Sequence, residues 1–307
     1  MLVLTSLLLS TISHAQKQTN DLGICYLPNL SDVTYQSLTD LPCGSPSEVI
    51  SYGRSDQQFG ELWLPKRSSQ DSSNVALPGS LNNEAQSADS RNAKRHPLVV
   101  LIHGGCWLNE VDVRHTHAAS TALANAGYAV WAIEYRRVGD DGGGWPNSYT
   151  DVLAAIRYIP ELAEYPIDTQ AVALVGHSAG GQLALLAGAE LVSKDFQIDA
   201  VIGLAAISDL EQYAAGENGC QRAASLFMGG QAKDKPQAYA DATVINKTLH
   251  PSTVFIHGTA DGIVPLNHSS RFSKQARLIE GAGHFDMIHP ATPAFQALLK
   301  ALAQNVN

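Results

Sequence analysis

Short, wholly apolar runs punctuate the chain, and each is followed by a polar or amphipathic stretch of helical character. Residues 98–102 (LVVLI), 128–135 (YAVWAIEY), 171–176 (AVALVG), 200–206 and 253–257 (TVFIH) are nearly continuous in Val, Ile, Leu, Ala and aromatic side chains. Runs of that length without alternation fit strands buried on both faces of a parallel sheet. Between them, 115–126 reads as a helix ended by Gly127, 147–159 as a helix stopped before Pro160, and 179–192 as an Ala/Leu-rich helix. A last helix is expected over 291–303, and a short strand over 277–280. Near the N-terminus, 48–52 and 58–64 read as two strands joined by a turn, after a polar, turn-rich stretch at 16–46. Strands alternating with helices predict an α/β fold with a mainly parallel central sheet flanked by helices.

Two regions break the alternation. Residues 67–97 are rich in Ser, Asn, Ala and Asp without periodicity and read as a surface insertion. Residues 208–250 are polar and carry several Gly, which suits a small helical cap over a site. The 307-residue length suits one domain over 16–307 once residues 1–15 are set aside as a signal peptide. That leader reading rests on the apolar core 2–9, too short to span a bilayer, and on Ser13 and Ala15 before Gln16. It implies a secreted or periplasmic protein, in which disulfides form. Of the four cysteines, Cys25 with Cys43 is the favoured pair, and Cys106 with Cys220 the second.

Composition changes the picture mainly by exclusion. A net charge of −9, with no basic cluster, argues against nucleic acid and against an anionic membrane surface. No Cys/His spacing of a metal site occurs, and no cofactor is expected. His115 and His117 read as features of a helix surface.

The chemistry concentrates at the ends of the apolar runs. Gly176-His177-Ser178-Ala179-Gly180 follows one strand and opens a helix, the context of a nucleophile elbow that presents a serine hydroxyl at the edge of the sheet. His103-Gly104-Gly105-Cys106-Trp107 follows 98–102 and is a candidate oxyanion loop, with Gly105, Cys106 and Ala179 offering backbone N–H groups. Asp261 follows 253–257 and His284 follows 277–280. The order Ser178, Asp261, His284 is that of α/β-hydrolases, with His284 as base and Asp261 orienting it. Asp286 competes for the acid's place, and His103 and His177 are read as packing and orienting groups. Trp107, Trp145 and Phe285 are candidates for lining a substrate pocket.

These segments together (HGGCW, GHSAGG, HGTAD, GAGHFD, with QFGELWLP at 58–65 and EYRRVG…GGGWP at 134–146) resemble the bacterial α/β-hydrolases related to kynurenine formamidases and feruloyl-esterase-like enzymes, the BD-FAE-like serine hydrolases. The resemblance runs over 51–290 outside the insertion, and departs from the formamidases at Cys106, where they carry Tyr. It implies the α/β-hydrolase fold, the Ser-Asp-His triad and hydrolysis of an acyl bond in a small molecule. A carboxylic ester is the expected substrate. An arylformamide is the alternative, and a non-catalytic binding protein on the same scaffold a third reading.

Overall fold

The computed structural model describes residues 26–66, 94–191 and 197–306. The leader at 1–15, Cys25 and most of the 67–97 insertion lie outside those residues.

In chain order the elements are α1 (Tyr35–Thr39), β1 (Glu48–Ser51), β2 (Phe59–Trp63), β3 (His96–Ile102), α2 (His117–Asn125), β4 (Ala129–Ile133), α3 (Asn147–Arg157), β5 (Ile167–His177), α4 (Ala179–Leu191), β6 (Ala200–Leu204), α5 (Leu210–Ala214), α6 (Gly219–Met228), α7 (Pro236–Ala242), β7 (Thr253–Gly258), α8 (Asn267–Ser270), β8 (Ala276–Ile279) and α9 (Pro293–Asn305). The strands form one eight-stranded sheet in the order β1-β2-β4-β3-β5-β6-β7-β8. Only β1–β2 and β2–β4 pair antiparallel, and the rest of the ladder is parallel.

The apolar runs behave as strands covered on both sides. Leu98, Val100 and Ile102 of β3 enter a core shared with α3 and α4, through Val152, Ile156 and Leu183. Val99 and Leu101 enter the opposite core with α2 and α9, through Leu123, Phe295 and Leu298. Alternate side chains thus feed two layers, so neither face of the strand tolerates a polar residue.

The structure departs from the sequence reading in four places. A short helix, α1, lies inside the stretch read as irregular; it is only five residues long, too short to show a periodicity. Strand β3 begins at His96, inside the region assigned to the insertion. Helix α3 ends at Arg157, and a 3₁₀ turn over Ile159–Glu164 accepts Pro160 in its first turn, where no backbone N–H is needed. His115 is buried rather than on a helix surface, because the helix starts at His117 and His115 belongs to the preceding 3₁₀ turn. Among the described residues no helix is long and apolar enough to cross a membrane.

Candidate active site

Ser178 stands between the end of β5 and the start of α4, at φ +57, a conformation that costs a non-glycine residue about 1–3 kcal/mol. Its N–H donates to Leu204 O of the neighbouring strand at 2.8 Å, and its carbonyl accepts the Gln182 N–H at 3.1 Å. The flanking glycines are required by close approach. A side chain at Gly176 would run into the Gly180 backbone, and one at Gly180 into the carbonyls of Ile102 and His103. Gly180 therefore also sets how near the elbow lies to the loop after β3. At Gly104 an added β-carbon would stand 3.0 Å from Ser178 Cβ, so that loop passes directly over the serine.

The loop is itself in an uncommon conformation. Gly105, Cys106 and Trp107 all have positive φ, at +102, +56 and +59. Two of those are strained for residues with a β-carbon, so side chains must hold them. Cys106 is disulfide-bonded to Cys220 at the start of α6. Trp107 is fully buried, donates Nε1–H to Gln182 Oε1 at 3.0 Å, and stacks on Phe227 of α6 at 4.7 Å between ring centroids. His103, at the loop's start, lies 2.8 Å from Glu134 Oε1 through Nε2 and stacks on Tyr135. Glu134 also accepts the backbone N–H groups of Val113 and Tyr135 and stands 3.4 Å from the Arg137 guanidinium. Burial alone would raise the Glu134 pKa; the charge and hydrogen bond of His103, the charge of Arg137 and the Tyr135 N–H outweigh it and hold the carboxyl below its ordinary range. The N–H groups of Gly105 and Cys106 have no acceptor among the described residues, and Ala179, the first residue of α4, has none within its helix.

Asp261 and His284 meet as the sequence suggested. His284 Nδ1 lies 2.8 Å from Asp261 Oδ2. The other oxygen, Oδ1, accepts the backbone N–H groups of Ile263 and Val264 at 2.8 and 2.9 Å. Burial works to raise the Asp261 pKa, but hydrogen bonds from His257 and His284 prevail and keep it well below the usual carboxylate range. His177, adjacent to Ser178, approaches the His284 carbonyl at 3.0 Å through Nε2, and the two rings lie 4.6 Å apart. His284 is thereby attached to the turn that carries Ser178. Burial, then the charge of His284, pushes the His177 pKa well below that of a free imidazole, so it holds this contact as a neutral ring. No hydrogen bond joins the Ser178 hydroxyl to His284 among the described residues.

Asp286, the competing acid, is used elsewhere. It is buried and accepts the N–H groups of Asp32 and Val33 at 2.8 and 2.7 Å, fastening the N-terminal segment beside the base. Of the three aromatic candidates, Trp107 has no exposed surface and is a packing residue of the loop. Trp145 is half-buried against Tyr149 and Phe227, and Phe285 is half-buried between Tyr35, His177 and His284. A cavity of about 310 Å³ lies between α1 and the 110–118 segment, lined by Tyr35, Leu38, Glu110, Asp112 and His115. Its walls touch the site through the Tyr35–Phe285, His115–His177 and His115–His103 ring contacts.

Sequence reasoning passed over Glu134 and Gln182, and read His115 as a helix-surface feature. Glu134 sits at the end of an apolar run, and an acid in that position was the available signal. Of the remaining sequence expectations, the Cys106–Cys220 pair forms, while Cys43 is exposed and bonded to no described residue.

Known proteins resemble this chain in sequence and in fold. Esterase LipC of Mycobacterium tuberculosis is 26% identical over 224 residues, 64% of this chain and 55% of that protein. A probable isoprenylcysteine α-carbonyl methylesterase of Oryza sativa subsp. japonica is 28% identical over 63% of this chain and 53% of its own length. The chain thus spans about half the length of the curated relatives it matches. Among solved structures, esterase B of Lactobacillus rhamnosis superposes with a TM-score of 0.65 at 20% identity, over 88% of this chain and 89% of that one, and so shares the α/β-hydrolase fold. The BD-FAE family model matches residues 87–276, well over half of the chain, and the protein belongs to that family.

Proposed function

We propose that this protein is a serine hydrolase that cleaves carboxylic esters of small molecules through an acyl-enzyme. Ser178 Oγ attacks the ester carbonyl while His284 Nε2 takes its proton. The tetrahedral oxyanion is received by the N–H groups of Gly105, Cys106 and Ala179, which have no competing acceptor among the described residues. The protonated His284 then gives its proton to the leaving alcohol. Water, deprotonated by the same ring, releases the acid. Asp261 fixes the tautomer with Nδ1–H towards itself and stabilises the imidazolium. Trp145 and Phe285 are the side chains proposed to border the substrate.

The observation that carries this reading is the 2.8 Å His284–Asp261 pair, whose backbone is held by the residue preceding a serine at φ +57. Esterase relatives support the ester over other acyl bonds. The chain as a whole, 16–307, is read as one hydrolase domain exported by residues 1–15, secreted or periplasmic. The Cys106–Cys220 bond supports an oxidising compartment.

The test compares p-nitrophenyl acetate with N-formylkynurenine, using the wild type and Ser178→Ala. Ester turnover that falls by about 10⁴ or more in Ser178→Ala is expected. Preference for the formamide would move the same machinery to amide hydrolysis. Turnover of neither substrate would leave a binding protein on a hydrolase scaffold.

A further inference from the structure

The structure assigns a positioning role to His257: its ring N–H holds the carboxylate oxygen of Asp261 that faces His284, and thereby sets the basicity of His284. This rests on the triad reading above.

His257 is the last but one residue of β7 and has no exposed surface. Its Nε2 faces two acceptors, Asp261 Oδ2 at 3.1 Å and the Val264 carbonyl at 3.1 Å. An atom between two acceptors must carry the hydrogen, which leaves Nδ1 as an acceptor. Nδ1 lies 2.8 Å from Ser269 Oγ in α8, so the hydroxyl donates and fixes that tautomer. The result is a buried chain Ser269–His257–Asp261–His284 in which Oδ2 lies 2.8 Å from His284 Nδ1 and 3.1 Å from His257 Nε2, whose hydrogen is shared with the Val264 carbonyl, while Oδ1 accepts two backbone N–H groups.

The consequence follows from electrostatics. Each donor at Oδ2 draws negative charge away from His284 Nδ1–H. The imidazolium is then less stabilised than it would be by an unshared carboxylate, so removing the His257 donor should strengthen the hold of His284 on its proton. Other groups around the chain are His177 against the His284 ring, and His268 and Tyr213 towards Asp261; Arg271 and Asp209 act on His268. Among the described residues none of these hydrogen-bonds the Asp261 carboxylate, so His257 is the side chain through which Oδ2 is shared.

The experiment measures the His284 pKa by NMR titration of the resting protein, where no substrate is needed, alongside ester turnover. His257→Phe keeps the ring volume and removes the donor; His257→Gln returns an N–H donor near the Nε2 position. His284 is expected to titrate about 0.5–1 pH unit higher in His257→Phe and close to wild type in His257→Gln. Plateau kcat/KM should fall about 10–100-fold in the first and recover most of that in the second. If His257→Phe does not fold, His257→Leu decides, since it removes the same donor with a smaller side chain and should raise the His284 pKa in the same direction. An unmoved His284 pKa in either variant, or equal loss of turnover in Phe and Gln variants, would reduce His257 to packing and overturn the assignment. Absence of ester turnover in the wild type, with the pKa shift intact, would instead count against the proposed function alone.

Discussion

The two loops that flank Ser178 are made rigid in different ways. The loop at 103–107 offers backbone N–H groups, so its side chains are free to be used as anchors, and nearly all of them are: His103 on Glu134, Cys106 on Cys220, Trp107 on Gln182 and Phe227. The turns carrying Asp261 and His284 offer side chains, and these are held by the groups around them: backbone N–H groups and His257 on Asp261, His177 on the His284 carbonyl. A site that must present main chain buries side chains behind it. A site that must present side chains satisfies every remaining lone pair of those side chains. The comparison predicts that damage to the first loop reads out as lost stability and damage to the second as lost rate.

The largest contrast lies between two aspartates. Asp261→Asn should lower kcat by about 10⁴ with a native thermal transition, because the amide can present its NH2 to His284 and stabilise the wrong tautomer. Asp286→Asn should cost less than about tenfold in kcat and about 1–3 kcal/mol in stability, since one of the Asp32 and Val33 N–H groups would face a donor. Equal rate losses in the two variants would break the assignment of Asp261 as the acid. On the other loop, Glu134→Ala leaves the buried His103 without its carboxylate and removes one of the two carboxylates beside Arg137, which keeps Asp140, and should cost about 3–5 kcal/mol, measured by urea unfolding. Next comes Cys220→Ala. Its bond closes a separation of 114 residues, so its loss should cost about 2–4 kcal/mol, and it should lower kcat more than it raises KM by loosening Cys106 at φ +56. A Cys220→Ala enzyme with unchanged stability and rate would show that Trp107 and His103 alone hold the loop.

Most of this was legible in the chain where one short segment carries the whole instruction. The GHSAG elbow is such a segment: strand, tight turn and helix follow from adjacent residues, and the structure has Ser178 at that turn. The parallel sheet was legible for the same reason, as each buried strand is a self-contained apolar run. Support residues were not. Glu134 stands 31 residues from His103, and nothing local to either announces the pair. Asp286 looked like a rival acid because it is two residues from His284, while its real partners lie 253 and 254 residues away in the N-terminal segment. Trp107 looked like a pocket residue because it ends an oxyanion loop; whether an aromatic ring there turns outwards or into the core is decided by Phe227 and Gln182, which come from other elements.

His115 gives the smallest and most specific test, because it links the loop side of the comparison to pH. Its ring packs against His103 and His177, and its Nδ1 lies 2.9 Å from the Asp112 carbonyl. Burial, and then the charge of His103, pushes its pKa from the ordinary 6.5 down to about 3. The unfolded chain therefore binds a proton below about 6.5 that the folded protein refuses until about 3, so this contribution to stability is complete above 6.5 and is lost progressively as pH falls. Between about pH 7.5 and pH 5 the loss from this one group is about 2 kcal/mol. His115→Gln removes the titration and keeps an amide able to reach the Asp112 carbonyl. Its urea midpoint should be lower than wild type at the higher pH and should change less on going to the lower one. Parallel pH profiles for the two proteins would mean that the acid sensitivity belongs to His177, His268 and His289, the other buried rings with lowered pKa, and that the loop side of the site carries none of it.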